Sequence, residues 1–372
     1  MQKIFSLSFN LGNTSNLIHL ANRGVKILSC VLLINLGLGL LAAGNASAQE
    51  YKLKVHHFLS TNAVTHKDLL EPWAEKINHA SAGKLQLSIY PAMQLGGKPP
   101  QLFDQARRGT VDIAWTLAGY TPGRFPRMEV FELPFMATNA KATSQAAYQF
   151  YSNYATEDFK DVKVLLVHTH APGKFHMNNK PIRNMQDLKG AKVRAPTRVT
   201  NMMLESLGAT AIGMPVPSLP GALARGVVDG ALVPYEVALP LRLHELTNSH
   251  TDVTGRRGLY TAVFLLVMNK KKFNSLPADM RQILDSHSGL EWAKEAGELW
   301  DKSDIPGIDA ARNAGDKFHF IKGKELQKWQ EVGRKVWRRW EQEMAEKGID
   351  GESLIKNAQR LISKFDSFDK PS

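Results

Sequence analysis

Arg194 is the residue in this sequence best suited to hold a small anion. It ends a predicted strand, 191–194, and lies directly before Ala195-Pro196. A planar guanidinium donates two parallel hydrogen bonds to one carboxylate, and each such charged bond contributes about 1.5–3 kcal/mol. The residues alone leave two interpretations open, in which Arg194 either pairs with a structural carboxylate or binds an anionic ligand.

Two histidines at alternating positions form the one cluster in the sequence that is similar to a metal site. His168 and His170 would point to the same side of a predicted strand, and His176 follows nearby. No carboxylate or cysteine stands at a suitable local spacing, so we expect these histidines to line a cleft or to pack in a core. His56 and His57 alternate across a strand and would not act as one site. The sequence therefore predicts no bound metal.

Motifs for catalysis and cofactor binding are weak. Residues 37–42 (GLGLLA) fit the dinucleotide fingerprint G-x-G-x-x-A, but they lie in an apolar N-terminal segment with no preceding strand. No P-loop, G-x-S-x-G or H-E-x-x-H motif occurs, so we expect no cofactor. A secreted α/β enzyme stays open as an alternative, in which His168, His170 or Glu236 would act as the general base.

The first 48 residues have the pattern of a secretory signal peptide. Lys3, Arg23 and Lys26 precede an apolar stretch, and residues 46–48 (Ala-Ser-Ala) supply small side chains before a cleavage site. The apolar stretch approaches membrane-spanning length, but the Ala-x-Ala site favours cleavage after Ala48. We therefore expect an exported, periplasmic protein.

Composition excludes several classes of protein. The chain has 372 residues, of which 43% are hydrophobic and 22% are charged, so it is neither disordered nor collagen-like. Its one cysteine is Cys30, and removal of the signal peptide would exclude disulfides, thiol catalysis and zinc-cysteine sites. A formal net charge of +12 permits an anionic partner. The basic cluster of the predicted helix 323–345 is interleaved with acids, so we expect no nucleic-acid binding.

Strands and helices alternate along the rest of the chain. The predicted strands are 53–58, 84–90, 111–115, 162–168 and 191–194, and the predicted helices are 65–80, 99–108, 139–153, 277–300 and 323–345. This alternation predicts an α/β fold with a largely parallel sheet.

A short segment occurs twice and suggests two similar lobes. Residues 108–114 (RGTVDIA) and 225–231 (RGVVDGA) each join the end of a helix to the start of a strand. In both segments the glycine suits the left-handed end of a helix. Chance similarity over so short a stretch is the alternative. With two lobes, a ligand would bind in the cleft between them, at the carboxyl ends of strands.

Several short motifs occur in an order and spacing that are specific when taken together. They are 91–96 (PAMQLG), 108–112 (RGTVD), 178–182 (NNKPI), 188–196 (LKGAKVRAP), 207–209 (LGA), 222–230 (ALARGVVDG) and 268–284 (MNKKKFNSLPADMRQIL). Through them, residues 51–365 resemble the solute-binding proteins of tripartite ATP-independent periplasmic (TRAP) transporters, of the DctP type.

The resemblance implies a two-lobed periplasmic-binding-protein architecture. Two α/β lobes would close over a ligand cleft, joined by crossing strands and by a long helix that spans both. The first lobe would comprise residues 49–171, with about 285–320 returning to it. The second lobe would comprise residues 172–284, with about 321–372 packing on it.

The resemblance also implies which residues bind the ligand. Arg194 matches the family's arginine that binds the ligand carboxylate, and Lys174 stands where many members have a second arginine. Val233 stands where several members have a polar residue, which makes that wall apolar. The expected ligand-binding residues are Arg194, Lys174, Trp115, Tyr120, Phe58, His168, His170, Val233, Tyr235 and Glu236.

The function that the resemblance implies is capture of a small organic acid, with no bond chemistry. An apolar wall with aromatic residues favours a monocarboxylate with a hydrophobic or aromatic body. Aromatic acids and branched 2-oxo acids fit this expectation better than a highly hydroxylated sugar acid. The closed protein would then dock on the membrane subunits of a TRAP transporter, and an ion gradient would drive import.

Overall fold

The computed structural model describes residues 50–366, and the expected signal peptide with its cleavage site after Ala48 lies outside them. Within this range, no helix is both long enough and apolar enough to cross a membrane. The strands are β1 (Tyr51–His56), β2 (Leu85–Tyr90), β3 (Ile113–Leu117), β4 (Val162–Thr169), β5 (Lys174–Met177), β6 (Lys192–Ala195), β7 (Thr210–Gly213), β8 (Gly230–Val233), β9 (Ser249–Val253), β10 (Val263–Asn269) and β11 (Lys317–Ile321). The helices are α1 (Glu71–Ala80), α2 (Leu102–Arg108), α3 (Ala140–Phe150), α4 (Arg198–Ser206), α5 (Leu219–Ala224), α6 (Lys270–Ser275), α7 (Ala278–Ser286), α8 (Leu290–Asn313), α9 (Gly323–Ala345) and α10 (Gly351–Phe365).

The first sheet has the strand order β2-β1-β3-β10-β4. β1 pairs in parallel with β2 and β3, whereas β10 runs antiparallel to β3 and β4. Every residue of β3 (IAWTL) and β10 (VFLLVMN) is buried. Such continuous burial is typical of a central strand that is covered on both faces.

The second sheet has the strand order β11-β9-β5-β8-β6-β7. β6 pairs in parallel with β7 and β8, and β11 pairs in parallel with β9. β5 runs antiparallel to both of its neighbours, β8 and β9. Two separate sheets with flanking helices confirm the expected α/β fold with two lobes. Both sheets are mixed and not largely parallel as expected, because β10 and β5 each run antiparallel to both of their neighbours.

The chain crosses between the two sheets more than once, so neither lobe is continuous in sequence. β10 falls in the range expected for the second lobe, 172–284, but it is hydrogen bonded in the first sheet. β11 falls at the end of the range 285–320, expected for the first lobe, but it pairs with β9 in the second sheet. α10, within 321–372, packs on α3 of the first lobe. The expected ranges differ from the structure here because a strand that is apolar in all but its last residue, such as β10, fits the centre of either sheet.

The long helix α8 contacts both lobes, as the resemblance implied. Its 24 residues span about 36 Å at a rise of 1.5 Å per residue. Asp301 accepts hydrogen bonds from the backbone N–H groups of Ala140 (2.8 Å) and Lys141 (3.0 Å) at the start of α3 in the first lobe. Asp304, almost one turn further along, accepts from the backbone N–H of Glu236 in the second lobe (2.9 Å). One helix thereby fixes segments of both lobes.

Gly289 separates α7 from α8, where the sequence predicted one helix over 277–300. Its φ is +94°, a left-handed conformation that glycine adopts without steric cost. Its N–H donates to the carbonyl of Leu165 on β4 (3.0 Å). This hydrogen bond connects the start of α8 to the first sheet.

Charged side chains connect the two lobes beside the cleft. Arg198, the first residue of α4 in the second lobe, donates from Nε to Glu129 Oε1 in the first lobe (3.2 Å), and from Nη2 to Oε2 of the same carboxylate. Nη1 pairs with Glu343 on α9. Trp340, also on α9, donates to Glu129 Oε2 (3.1 Å). These contacts join the two lobes beside the cleft.

Gly307 of α8 permits the close approach of the second lobe, because a Cβ atom there would lie 2.3 Å from the carbonyl oxygen of Tyr235. We expect Gly307→Ala to lower the free energy of unfolding by about 1–3 kcal/mol through this overlap. Helix propensity alone predicts the opposite sign, a gain of about 1 kcal/mol. Urea denaturation of both proteins measures the difference.

Ile305→Ala is the control for this substitution, because Ile305 lies on the same helix and its side chain is 57% exposed. It should change the free energy of unfolding by less than about 0.5 kcal/mol. A Gly307→Ala protein at least as stable as the wild type would contradict the proposed close approach.

Candidate ligand-binding site

A cavity lies between the two lobes. It lies beyond the carboxyl ends of β1, β3, β6 and β8, where open α/β sheets bind their ligands. Six of the ten residues expected from the sequence line it: Phe58, Tyr120, His170, Arg194, Val233 and Glu236. The other four, Trp115, His168, Lys174 and Tyr235, lie outside its lining.

Arg194 reaches the cavity from β6 and is only 2% exposed. Its Nε donates to the carbonyl of Met214 (3.0 Å) and its Nη1 to the carbonyl of Leu232 (3.0 Å). Within residues 50–366, no carboxylate forms an ion pair with it. Burial lowers the pKa of Arg194, although the neighbouring Tyr120 and Tyr260 oppose this shift, and a guanidinium stays charged in proteins. This placement favours the ligand interpretation, because a bound anion would offset the cost of burying the charge.

Tyr120 connects the two lobes at the cavity. Its hydroxyl oxygen accepts the backbone N–H of Val216, which follows β7 in the second lobe (2.8 Å). Its ring packs on Phe58, with the ring centroids 5.3 Å apart. Burial raises the pKa of the Tyr120 hydroxyl, so this group stays protonated at neutral pH. Tyr120 therefore joins the lobes without adding a charge.

Stacked rings form the apolar wall of the cavity. Phe58 and Phe264 line it directly, and Trp115 lies behind them. The Trp115 ring stacks on Phe264 with the centroids 4.6 Å apart, and its centroid is 5.0 Å from that of Phe58. Val233 of the second lobe also lines the cavity and is buried. Trp115, which was expected to contact the ligand, lies outside the cavity lining and packs on the two phenylalanines.

The two histidines occupy different environments. His168 is buried outside the cavity lining, where Trp115 Nε1 donates to its Nε2 (3.0 Å). His170 lines the cavity, and its Nδ1 donates to the carbonyl of Ala171. Burial lowers the pKa of each histidine to about 3, so both are neutral at neutral pH. In the part of the chain that the structure describes, no three metal-ligating side chains come together.

Glu236 places a carboxyl group on the cavity. It lies in the short turn Tyr235–Val237 after β8 and is 6% exposed. Trp300 of α8 donates from Nε1 to Glu236 Oε1 (3.2 Å). Burial, and then the nearby Asp304, raise the pKa of Glu236 to about 8. At neutral pH this carboxyl group is mostly protonated and places no full negative charge beside an anionic ligand.

Lys174 lies outside the cavity, contrary to the expectation that it contacts the ligand. Its Nζ pairs with Asp304 of α8 (2.8 Å) and lies 5.5 Å from the ring centroid of Tyr235. Lys174 and Tyr235 line a separate pocket together with Arg312. Because Lys174 and Asp304 are 130 residues apart, no local spacing reveals the pair. The charge of Lys174 is neutralised within the protein.

Tyr260 is a cavity residue that no sequence motif indicates. It lies in the segment between β9 and β10 and is buried. The Gly173 N–H donates to the Tyr260 carbonyl (2.9 Å), and a Cβ atom at Gly173 would lie 2.3 Å from the Tyr260 ring. The lack of a side chain at Gly173 therefore leaves room for the Tyr260 ring. Leu117, Pro196, Val216 and Phe264 also line the cavity without having been predicted.

The profile of one protein family matches most of the chain. Residues 55–343 match the DctP family, described as bacterial extracellular solute-binding protein, family 7. A curated relative, the outer membrane transporter protein TsaT of Comamonas testosteroni, is 28% identical over 316 residues, which cover 83% of this chain and 91% of that protein.

Two solved structures are also similar over most of the chain. One is a TRAP solute-binding protein from a marine metagenome, specific for aromatic acid ligands and in complex with 3-hydroxybenzoate. It is 49% identical, with a TM-score of 0.85, and the match covers 86% of this chain and 100% of that one. The other, a TRAP solute-binding protein from Rhodoferax ferrireducens T118 with copurified benzoate, is 43% identical, with a TM-score of 0.83. That match covers 85% of this chain and 98% of the other.

These matches agree with the two lobes and with the cavity between them. The relatives are solute-binding receptors, which favours a receptor over the alternative of a secreted enzyme. The chain belongs to family 7 of the bacterial extracellular solute-binding proteins, the DctP family, and it is a TRAP-type solute-binding protein.

Proposed function

We propose that this protein captures an aromatic monocarboxylate between its two lobes. The observation that carries the proposal is Arg194, a buried cation on an apolar cavity that forms no ion pair with a carboxylate in residues 50–366. Its guanidinium binds the ligand carboxylate, while Phe58, Phe264 and Val233 enclose the ring. The ligands of the two similar structures, benzoate and 3-hydroxybenzoate, have this chemistry and support the proposal.

The charges around the cavity favour one carboxylate over two. Lys174, the other cation expected at the ligand, is paired with Asp304. A second ligand carboxylate would therefore be buried without a cation of its own, which is costly. A sugar acid would place several hydroxyl groups against apolar side chains such as Val233 and Phe264, where hydrogen-bond partners are lacking.

Ligand binding and lobe closure are coupled in this proposal. Arg194 belongs to the second lobe, whereas Phe58 and Tyr120 belong to the first. A ligand that contacts all three residues binds the closed arrangement more tightly than the open one. It shifts the equilibrium between the two by that difference in affinity.

Export and docking complete the proposed role. The closed protein presents its ligand to the membrane subunits of a TRAP transporter, and an ion gradient drives import.

The protein reaches the periplasm after cleavage following Ala48, so the intact mass of the exported protein should equal that of residues 49–372. A mass that includes residues 1–48 would contradict this cleavage.

Arg194→Lys should weaken binding of an aromatic acid by about tenfold or more. The substitution keeps the charge but loses the planar fork that binds a carboxylate through two hydrogen bonds. Isothermal titration of refolded residues 49–372 with benzoate and 3-hydroxybenzoate measures the loss. Succinate and gluconate serve as the dicarboxylate and sugar-acid comparisons.

Arg225→Lys is the matched control, because Arg225 lies in the second lobe but is exposed. Its affinities should equal those of the wild type. The proposal is wrong if only succinate or gluconate binds, or if Arg194→Lys leaves the affinity for every aromatic acid unchanged.

Lys174→Met should act on stability and leave ligand affinity nearly intact. The substitution leaves Asp304 buried without its cation, which typically costs about 3–5 kcal/mol. The double variant Lys174→Met/Asp304→Asn should recover much of this loss and bind benzoate within about threefold of the wild type. Urea denaturation and titration of both variants measure the two effects. A large loss of affinity with unchanged stability would instead place Lys174 at the ligand.

A further inference from the structure

The side chain of Glu236 is held firmly at the edge of an otherwise apolar part of the cavity. Its backbone N–H donates to Asp304 Oδ1 (2.9 Å), and its Oε1 accepts from Trp300 Nε1 (3.2 Å). Both partners lie on α8, one turn apart, so the same helix fixes the main chain and one carboxyl oxygen. Glu236 therefore occupies a defined position before any ligand arrives.

The second carboxyl oxygen, Oε2, is buried and has no hydrogen-bond partner among the described residues. Buried polar atoms in folded proteins are nearly always hydrogen bonded, and each exception calls for an explanation. The Trp300 contact satisfies Oε1 and the Asp304 contact satisfies the backbone N–H, but neither involves Oε2. Glu236 lines the cavity, so a polar ligand atom that comes into contact with Oε2 on binding would supply the missing partner.

The chemistry of this oxygen limits what it can bind. Burial and Asp304 raise the pKa of Glu236 to about 8, so the carboxyl group carries a proton at neutral pH. Trp300 donates to Oε1, which makes Oε1 an acceptor and leaves the proton on Oε2. A protonated Oε2 donates to an uncharged oxygen and also accepts through its lone pairs. A hydroxyl group satisfies both capacities, whereas a methyl group or a bare ring satisfies neither.

Glu236 and Arg194 give the cavity two polar contacts of different kinds. Arg194 lies on β6 and Glu236 follows β8, which is the neighbouring strand in the second sheet. The first contact is a cation for the carboxylate, and the second is an uncharged hydrogen-bonding group for another part of the ligand. Val233 and Phe264 supply apolar contacts to the ring.

We propose that Glu236 is a specificity-determining residue, which selects aromatic acids that carry a hydroxyl group through its unpartnered Oε2. This inference rests on the proposed function, because it assumes that Arg194 holds the carboxylate of an aromatic acid. It adds a second recognition point that distinguishes one aromatic acid from another.

An isosteric pair of ligands tests the inference in the wild-type protein. A hydroxyl and a methyl group have similar size, but only the hydroxyl group forms hydrogen bonds. Titration at pH 7 with 3-hydroxybenzoate and 3-methylbenzoate, and with the 2- and 4-isomers of each, gives the ratio of the two Kd values at each ring position. We expect a preference of about tenfold or more for hydroxyl at one position at least. Equal affinities at every position would overturn the inference.

Glu236→Met should abolish this preference. The ratio of the two Kd values should fall to about one at every ring position, whatever the change in the absolute affinities. Glu236→Gln keeps both the acceptor for Trp300 and a donor on the cavity, so it should retain part of the preference. A wild-type preference that persists in Glu236→Met would assign hydroxyl recognition to another residue and overturn the inference.

Infrared difference spectroscopy keeps the test decisive if Glu236→Met does not fold. The carbonyl band of the protonated Glu236 carboxyl group is identified by its loss in Glu236→Gln. It should shift when the preferred hydroxybenzoate binds and stay in place when the matching methylbenzoate binds. A band that is unmoved by the hydroxyl ligand would overturn the inference. Failure of the proposed function is recognised separately, because in that case no aromatic acid binds at all.

Discussion

The buried guanidinium of Arg194, which has no ion pair with a carboxylate among residues 50–366, is the constraint on which the rest of the site depends. Removing a charge from water is costly unless hydrogen bonds and an opposite charge compensate. The carbonyls of Met214 and Leu232 supply part of this compensation. In the proposed complex, the ligand carboxylate supplies the opposite charge. Because the apolar rings that exclude water come largely from the first lobe, capture of the anion and closure of the lobes depend on each other.

The helix α8 holds the surroundings of this cation in place. Trp300 and Asp304 are four residues apart, hence on one face of the helix, and both contact Glu236. Asp304 also neutralises Lys174, which keeps a second cation out of the cavity. Asp301 attaches the same helix to the first lobe. Trp300, Asp301 and Asp304 thus allow one helix to fix Glu236, to neutralise Lys174 and to contact the first lobe.

The sequence predicted the parts of the site that depend on local patterns. A strand that ends in arginine before proline pointed to Arg194 as a structural or a ligand-binding cation, and the family resemblance added the ligand role. The repeated segment at 108–114 and 225–231 indicated two lobes with a cleft. Long-range pairing was not predictable. Lys174 pairs with Asp304, which is 130 residues away in the sequence. The apolar residues of β10 would suit a central strand of either sheet, so its sheet could not be predicted. Trp115 is an aromatic residue of the kind that often contacts a ligand. Its position behind Phe264 depends on the pairing of β3 with β10, which the local sequence does not reveal.

A crystal structure of refolded residues 49–372 with benzoate tests the central claim most directly. The account predicts a closed protein in which the benzoate carboxylate accepts hydrogen bonds from the Arg194 guanidinium. The ring should lie against Phe58 and Phe264, with Lys174 still paired to Asp304. A benzoate carboxylate bound at Lys174, or an Arg194 paired with a protein carboxylate in the liganded state, would contradict the account.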